Sequence, residues 1–267
     1  FDYMEQDLLK TGVQSFEGTY SPYDPDTRRG ILVNGFDQFP SMLTSYNYEY
    51  YGKLLEACGY QKAYDTVTLE AKINPEVTKK LFTIEKYFTN HYNVSIDKID
   101  VKNINKEISD IHTVLEEATT ELNYQEAPSV EMISTVAQKL KPFINPKLIR
   151  IAREVETGEP VGFCLVFPDF NYIFKKTKGK IRPLQMLMLL RKIPRARGMM
   201  QYVVLKYQNT GLIGYMYKKV YDEFFGLGIK EFVAGTIMED NPKAVHAFDK
   251  FGAEVICTYR IYRKDVL

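Results

Sequence analysis

The residues Gln208-Asn209-Thr210-Gly211-Leu212-Ile213-Gly214 sit where chemistry could be done. Before them runs an apolar, β-branched stretch, Met200 to Lys206; after them an apolar helical pattern continues to about Phe225. A strand that feeds a glycine turn and then a helix start collects backbone N–H groups and the positive end of a helix dipole at one point. Such a point suits an anion, and pyrophosphate is a natural guest. The same pattern also describes an ordinary strand–turn–helix crossover, so the turn alone leaves both readings open. A second group with chemical potential follows: Glu239 and Asp240 end an apolar strand, and Asn241-Pro242 then opens a helix. A carboxylate there could take a proton from a nucleophile, or could simply help to cap the helix.

Composition narrows the classes. The chain has 267 residues, 45% hydrophobic and 26% charged, with a formal net charge of +1. That is ordinary for a globular protein of one or two domains, and no overall field favours nucleic acid. Cys58, Cys164 and Cys257 lie far apart in apolar runs. They read as reduced core residues of a cytoplasmic protein. His91, His112 and His246 are isolated from one another and from the cysteines, so no metal site is expected. No apolar run reaches membrane-spanning length. A chain beginning at Phe1 reads as a fragment.

The elements that must position these residues follow from periodicity and punctuation. The N-terminal segment gives a helix tail at 2–10, a short strand at 13–19, a turn-rich loop at 20–30, a helix from Asn47 to Cys58 closed by Gly59, and a strand at 64–69. Asn74-Pro75-Glu76 opens a helix whose Val77, Leu81, Ile84 and Phe88 share one face. Val94–Val101 alternates as a half-buried strand. Helices follow at 105–121, with His112 beside the apolar stripe, and at 129–142. Strands at 148–152 and 161–167 flank the hairpin turn Thr157–Pro160. Later come strands at 231–237 and 254–263, separated by a helix that Asn241 opens and Gly252 closes. The two Asn-opened, Gly-closed helices, each leaving into a Tyr-bearing strand, read as an internal repeat.

This element order resembles the GNAT superfamily of acyl-CoA-dependent N-acyltransferases, and more closely a bacterial group of tandem GNAT-like proteins. The words that carry the likeness are Leu32-Val33-Asn34-Gly35-Phe36-Asp37, Tyr50-Tyr51-Gly52-Lys53-Leu54-Leu55-Glu56, Pro160-Val161-Gly162-Phe163, Pro168-Asp169-Phe170-Asn171, Glu239-Asp240-Asn241 and Thr258-Tyr259-Arg260-Ile261-Tyr262. The resemblance implies a mixed α/β sheet. It implies a partial GNAT-like unit at 1–72, which lacks its first half, a linking helix at 73–93 and a complete unit at 94–267. It also implies an acetyl-CoA or longer acyl-CoA co-substrate and a small-molecule or peptide amine acceptor. Backbone at Val203, Val204 and Leu205 would meet the pantetheine arm, and Gln208, Asn209, Thr210, Gly211, Leu212, Ile213 and Gly214 the pyrophosphate. Asn241 and Phe248 would also touch the cofactor. Two positions depart from the superfamily pattern. Ile213 stands where Gly or Ala is usual, and Phe248 stands where many members place a proton-donating Tyr. Glu239 and Asp240 are then candidate bases, with Tyr259 or Tyr262 a substitute acid. Asp169 and Asn171 could line the acceptor site or serve only as turn residues.

Three function classes remain: an acyltransferase, a GNAT-like module that binds acyl-CoA or a partner without turnover, and an aminoacyl or peptidyl transferase. The segment 171–198 stands apart. It holds Lys175, Lys176, Lys178, Lys180, Arg182, Arg191, Lys192, Arg195 and Arg197, no acid, and the apolar run Leu184–Leu190. It could pack on the core, roof a pocket for an anionic acceptor, or lie on a membrane surface. Seven apolar residues bury little on a bilayer, so membrane contact is not expected.

Overall fold

A computed structural model describes residues 1–20, 29–120, 127–141, 144–180, 183–190, 192–246 and 248–265. Most of the loop expected at 20–30, and Arg182 and Arg191, lie outside them. In chain order the elements are α1 (Asp2–Leu9), β1 (Ser15–Gly18), β2 (Ile31–Asn34), α2 (Tyr50–Ala57), β3 (Gln61–Lys72), α3 (Pro75–His91), β4 (Val94–Lys98), α4 (Ile104–Ala118) and α5 (Val130–Leu140). Then follow β5 (Ile149–Glu154), β6 (Pro160–Pro168), α6 (Asn171–Thr177), α7 (Pro183–Leu190), β7 (Arg195–Val203), α8 (Leu212–Leu227), β8 (Glu231–Met238), α9 (Pro242–His246) and β9 (Glu254–Asp265). Two compact units result. One comprises residues 1–71, 233–249 and 253–267; the other comprises 72–232 and 250–252.

In the first unit the strand order is β1-β9-β3-β8, and β2 also pairs with β9. β3 and β9 run antiparallel, with Asp65 opposite Arg260 and Thr66 opposite Tyr259. β3, from the N-terminal segment, therefore lies between the two C-terminal strands. Asn47 does not cap a helix. Its side-chain amide instead pairs with the β2 backbone, accepting from Leu32 N–H at 2.7 Å and donating to Leu32 C=O at 3.1 Å. Helix α2 starts three residues later, so the apparent repeat fails at its first cap.

In the second unit β7, β6, β5 and β4 form an antiparallel run. α8 packs along β5 and β6 with Leu212, Met216, Tyr217, Val220, Tyr221 and Phe224 buried. Arg150 on β5 is buried and donates to the Lys219 carbonyl at 3.0 Å, tying that helix to the sheet. α4 buries Ile108, Ile111, Val114 and Leu115, as its stripe requires. Arg153 on β5 fixes it through Asp110 at 2.6 Å and Glu107 at 3.0 Å. His112 stands beside Glu116 at 3.4 Å.

α3 forms as its caps dictate: Asn74 Oδ1 accepts from Glu76 N–H, Pro75 starts the helix, and Val77, Leu81 and Phe88 are buried. It packs on α8. The Tyr221 hydroxyl accepts from Asn74 N–H at 2.7 Å and donates to Asn74 C=O at 2.9 Å, so one side chain satisfies both backbone groups of the cap. Tyr221→Phe leaves both without that partner. It is expected to destabilise the protein by about 1–3 kcal/mol, read as a lower urea midpoint at unchanged slope.

Candidate functional site

The expected strand at 200–206 is displaced. β7 begins at Arg195, and after Val203 the chain enters a 3₁₀ turn, Leu205–Tyr207. The N–H groups there are used: Val204 donates to Val161 C=O at 3.0 Å and Leu205 to the Glu117 carboxylate at 3.2 Å. Glu154 holds the turn from the other side, accepting from Lys206 Nζ at 2.6 Å and from the Tyr207 hydroxyl at 2.8 Å. Those contacts place its carboxyl below the usual glutamate value.

The glycine turn follows directly. Asn209 and Gly211 both adopt left-handed backbone, φ +61° and +93°, and Gly211 is the N-cap of α8. Gln208 and Asn209 are exposed, and Leu212 is buried. Thr210 bonds within the turn, its hydroxyl donating to Tyr207 C=O at 2.6 Å. Among the described residues, no acceptor takes the N–H groups of Gly211, Ile213 or Gly214. They stand at the start of a sixteen-residue helix, where the dipole favours negative charge.

Gly214 has a different reason for its size. A Cβ there would come within 3.2 Å of Ile84 Cδ1 on α3, and one at Gly211 would meet Ile84 Cγ2 at 3.6 Å. The late glycine thus admits a neighbouring helix. Phosphate contact at this turn needs main-chain donors only, which an isoleucine at 213 supplies as a glycine would. The sequence placed Ile84 on the buried face of α3 but carried no sign that it meets this turn. That contact is between residues far apart in the chain and follows from packing alone.

The residues expected to do proton chemistry lie in the first unit. Glu239 is half-exposed and firmly held. Its carboxylate accepts from Asp65 N–H at 3.0 Å and pairs with Lys62 Nζ at 2.7 Å, while its own N–H donates to Asp65 C=O at 3.0 Å. Asp65 in turn takes a two-pronged bond from Arg260, at 2.9 and 3.0 Å, and lies 3.1 Å from Lys62. Burial pushes the Asp65 carboxyl up, but Arg260 and Lys62 outweigh it and leave its pKa below the ordinary 3.8. Asp240 is exposed. Asn241 accepts from Ala244 N–H at 3.1 Å, so its side chain caps α9. That helix ends at His246, short of the expected Gly252, and a 3₁₀ turn, Asp249–Phe251, follows. His246 sits exposed beside Asp249 at 2.9 Å. Phe248 and Tyr259 are buried, Tyr259 with Leu32 and Cys257. The Tyr262 hydroxyl donates to Glu56 at 3.1 Å; burial and that carboxylate raise its pKa.

Asp169 settles as a structural residue. It is fully buried, Arg195 reaches it at 2.7 Å, and its other oxygen accepts from Asn171 N–H. Arg195 and Arg197 are likewise buried in β7, so these two of the nine cations at 171–198 are not surface charge. Cys164 is buried, with its thiol pushed up to about 12. Among the described residues no group of three His, Cys, Asp or Glu could hold a metal, and no helix is long and apolar enough to cross a membrane.

Comparison with solved structures decides the architecture. The chain superposes on a GCN5-related N-acetyltransferase from Sphaerobacter thermophilus with TM-score 0.53 and 14% identity, covering 80% of this chain and 55% of that one. The glucosamine N-acetyltransferase region of a fungal multi-domain β-N-acetylglucosaminidase gives 0.54 at 10% identity, covering 98% and 27%. The chain has the GNAT fold. A tandem GNAT protein from the clavulanic acid biosynthesis pathway also matches, at 0.50 and 10% identity, covering 97% and 66%. In sequence the chain is 26% identical over 248 residues to a bacterial ceramide synthase of Caulobacter vibrioides, covering 88% of this chain and 63% of that protein. The chain thus spans less than two thirds of the length of these proteins. No family model matches the sequence.

The Asp65 cluster gives a pH test. A carboxyl with a depressed folded pKa stabilises the protein above its unfolded value, and that stabilisation is lost as pH falls through the folded value. Asp65→Asn should therefore be less stable than the wild type at neutral pH, and the gap should close in acid below 3.8. Urea titrations across that range measure it; a gap independent of pH would refute the assignment.

Proposed function

We propose that this chain carries the donor site of an N-acyltransferase that moves an acyl group from acyl-CoA to an amine. We further propose that the amine is that of a long-chain lipid base. The observation that carries the donor half is the set of open N–H groups at Gly211, Ile213 and Gly214 on the first turn of α8. Ile84 lies against that turn, and Gly211 supplies backbone that a side chain would strain. The acceptor half is supported by the name of the Caulobacter relative, a ceramide synthase.

A thioester donor supplies the acyl group. The chain's residues have three tasks: to hold phosphate at the turn, to take a proton from the attacking amine, and to return one to the departing sulfur. We assign the second task to Glu239, with Asp240 as the alternative; Tyr259, expected for the third, is buried against Leu32 and Cys257. Lys62 and the Asp65 N–H hold the Glu239 carboxylate in one orientation. A second reading, binding without turnover, is favoured by one residue. Phe248 is buried where a proton-donating Tyr is expected, and it has no proton to give.

Calorimetric titration with CoA, acetyl-CoA and palmitoyl-CoA tests the donor site. Binding of at least one of them, abolished by Gly211→Glu, is the expected result; no binding by any of them would sink the proposal. Where turnover is found, Glu239→Gln should lower kcat by about a hundredfold or more with the donor KM little changed. An unchanged kcat would remove Glu239 from the role and leave Asp240 to be tested the same way.

A further inference from the structure

The basic segment 171–198 offers a surface that neither the donor turn nor the charge cluster uses. Its last strand residues are buried, as are Ile173 and Thr177 of α6, but α7 presents an exposed face. α7 leaves Leu184 79% and Met188 66% exposed. These two are one helical turn apart and share a face. Exposed lysines stand at both ends of α7: Lys176, Lys178 and Lys180 before it, Lys192 after it. Among the described residues none of these four is ion-paired. The sequence from 171 to 198 contains no Asp and no Glu, so nothing in the segment neutralises them.

We propose that α7 and its flanking lysines dock this protein on an anionic lipid bilayer. The charge pattern argues for that occupant. An apolar face bracketed by cations matches an interface whose headgroups are negative and whose acyl boundary is apolar. A polyanion such as nucleic acid would use the lysines but leave Leu184 and Met188 in water. An apolar protein groove would use the leucine and methionine but gain nothing from the four unpaired cations. α7 is only about 12 Å long at eight residues, so its apolar face alone is a weak anchor and the lysines must contribute. Contact is then peripheral and salt-sensitive.

The chain has no tryptophan, so Leu184→Trp places a single fluorescent reporter on the docking face. The full chain carrying it would be titrated with vesicles of phosphatidylcholine alone and of phosphatidylcholine mixed with phosphatidylglycerol in equal parts. The expected result is a blue shift with the anionic vesicles only, reversed by added salt. Sedimentation of the otherwise native chain with the same vesicles supplies a label-free measure. Met188→Ser combined with Leu184→Ser should abolish sedimentation. Lys178→Glu and Lys180→Glu should each weaken it by about fivefold or more, since one cation near an anionic surface contributes that factor. These side chains are exposed, and circular dichroism would confirm that each variant folds. Three outcomes would overturn the proposal: no blue shift with anionic vesicles, sedimentation that survives the double serine change, or equal binding to a soluble polyanion that the serine changes do not weaken.

Discussion

The glycine turn at 209–214 depends on how α8 is held. A helix start can present free N–H groups only if the rest of the helix is fixed while its first turn is left alone. Arg150 ties α8 to β5 through the Lys219 carbonyl, Tyr221 ties it to the cap of α3, and a row of aromatic and aliphatic side chains buries its inner face. Beyond the helix start, Glu154 and Glu117 hold the 3₁₀ turn through Lys206, Tyr207 and the Leu205 N–H. The turn at 209–214 is therefore suspended between two anchored pieces. Its open donors cost little flexibility, because the groups on either side are already satisfied.

Gly214 shows how a motif can mislead about physical cause. Read against the superfamily pattern, it looks like a phosphate glycine displaced by one position, and Ile213 looks like an obstruction. In the fold, Gly214 makes room for Ile84, and the departure from the pattern costs no main-chain donor. The consequence is that α3 and the glycine turn are coupled by packing. A larger residue at 84 or 214 would move the helix start and with it the directions of three N–H groups. Side-chain volume, not glycine freedom, is the constraint there.

Most of the elements were legible because their signals are local. Asn74-Pro75-Glu76 carries its own cap, the stripe of α3 carries its own period, and the hairpin at 157–160 carries its own turn residues. What misled were residues whose roles are decided at long range. Asn47 has the chemistry of a helix cap, yet two bonds to Leu32 recruit it to a strand fifteen residues away. Arg195 and Arg197 look like surface charge in a basic run, yet both are buried in β7, where Asp169 pairs with Arg195. β7 accordingly starts earlier than its apolar residues suggest. Of the candidate site, the glycine turn was visible as a pattern. The set Lys62, Asp65 and Arg260 around Glu239 was not, although an aspartate inside the β-branched run Tyr64–Leu69 is the kind of buried charge that demands a partner.

That charge set bears on where the Glu239 carboxylate can point. It accepts from the Asp65 N–H and pairs with Lys62, so two contacts from β3 fix its direction. Arg260 is already committed to Asp65 by two bonds, so it cannot relieve Lys62 of its share. Glu239 is nonetheless half-exposed, so its carboxylate keeps contact with water. Lys62 is itself half-exposed, with Asp65 as a second partner at 3.1 Å. Lys62 is thus shared between two carboxylates, and it orients Glu239 only in part. Substituting Lys62 would leave the Glu239 carboxylate held by the Asp65 N–H, a contact that the pairing of β3 with its neighbours keeps in place.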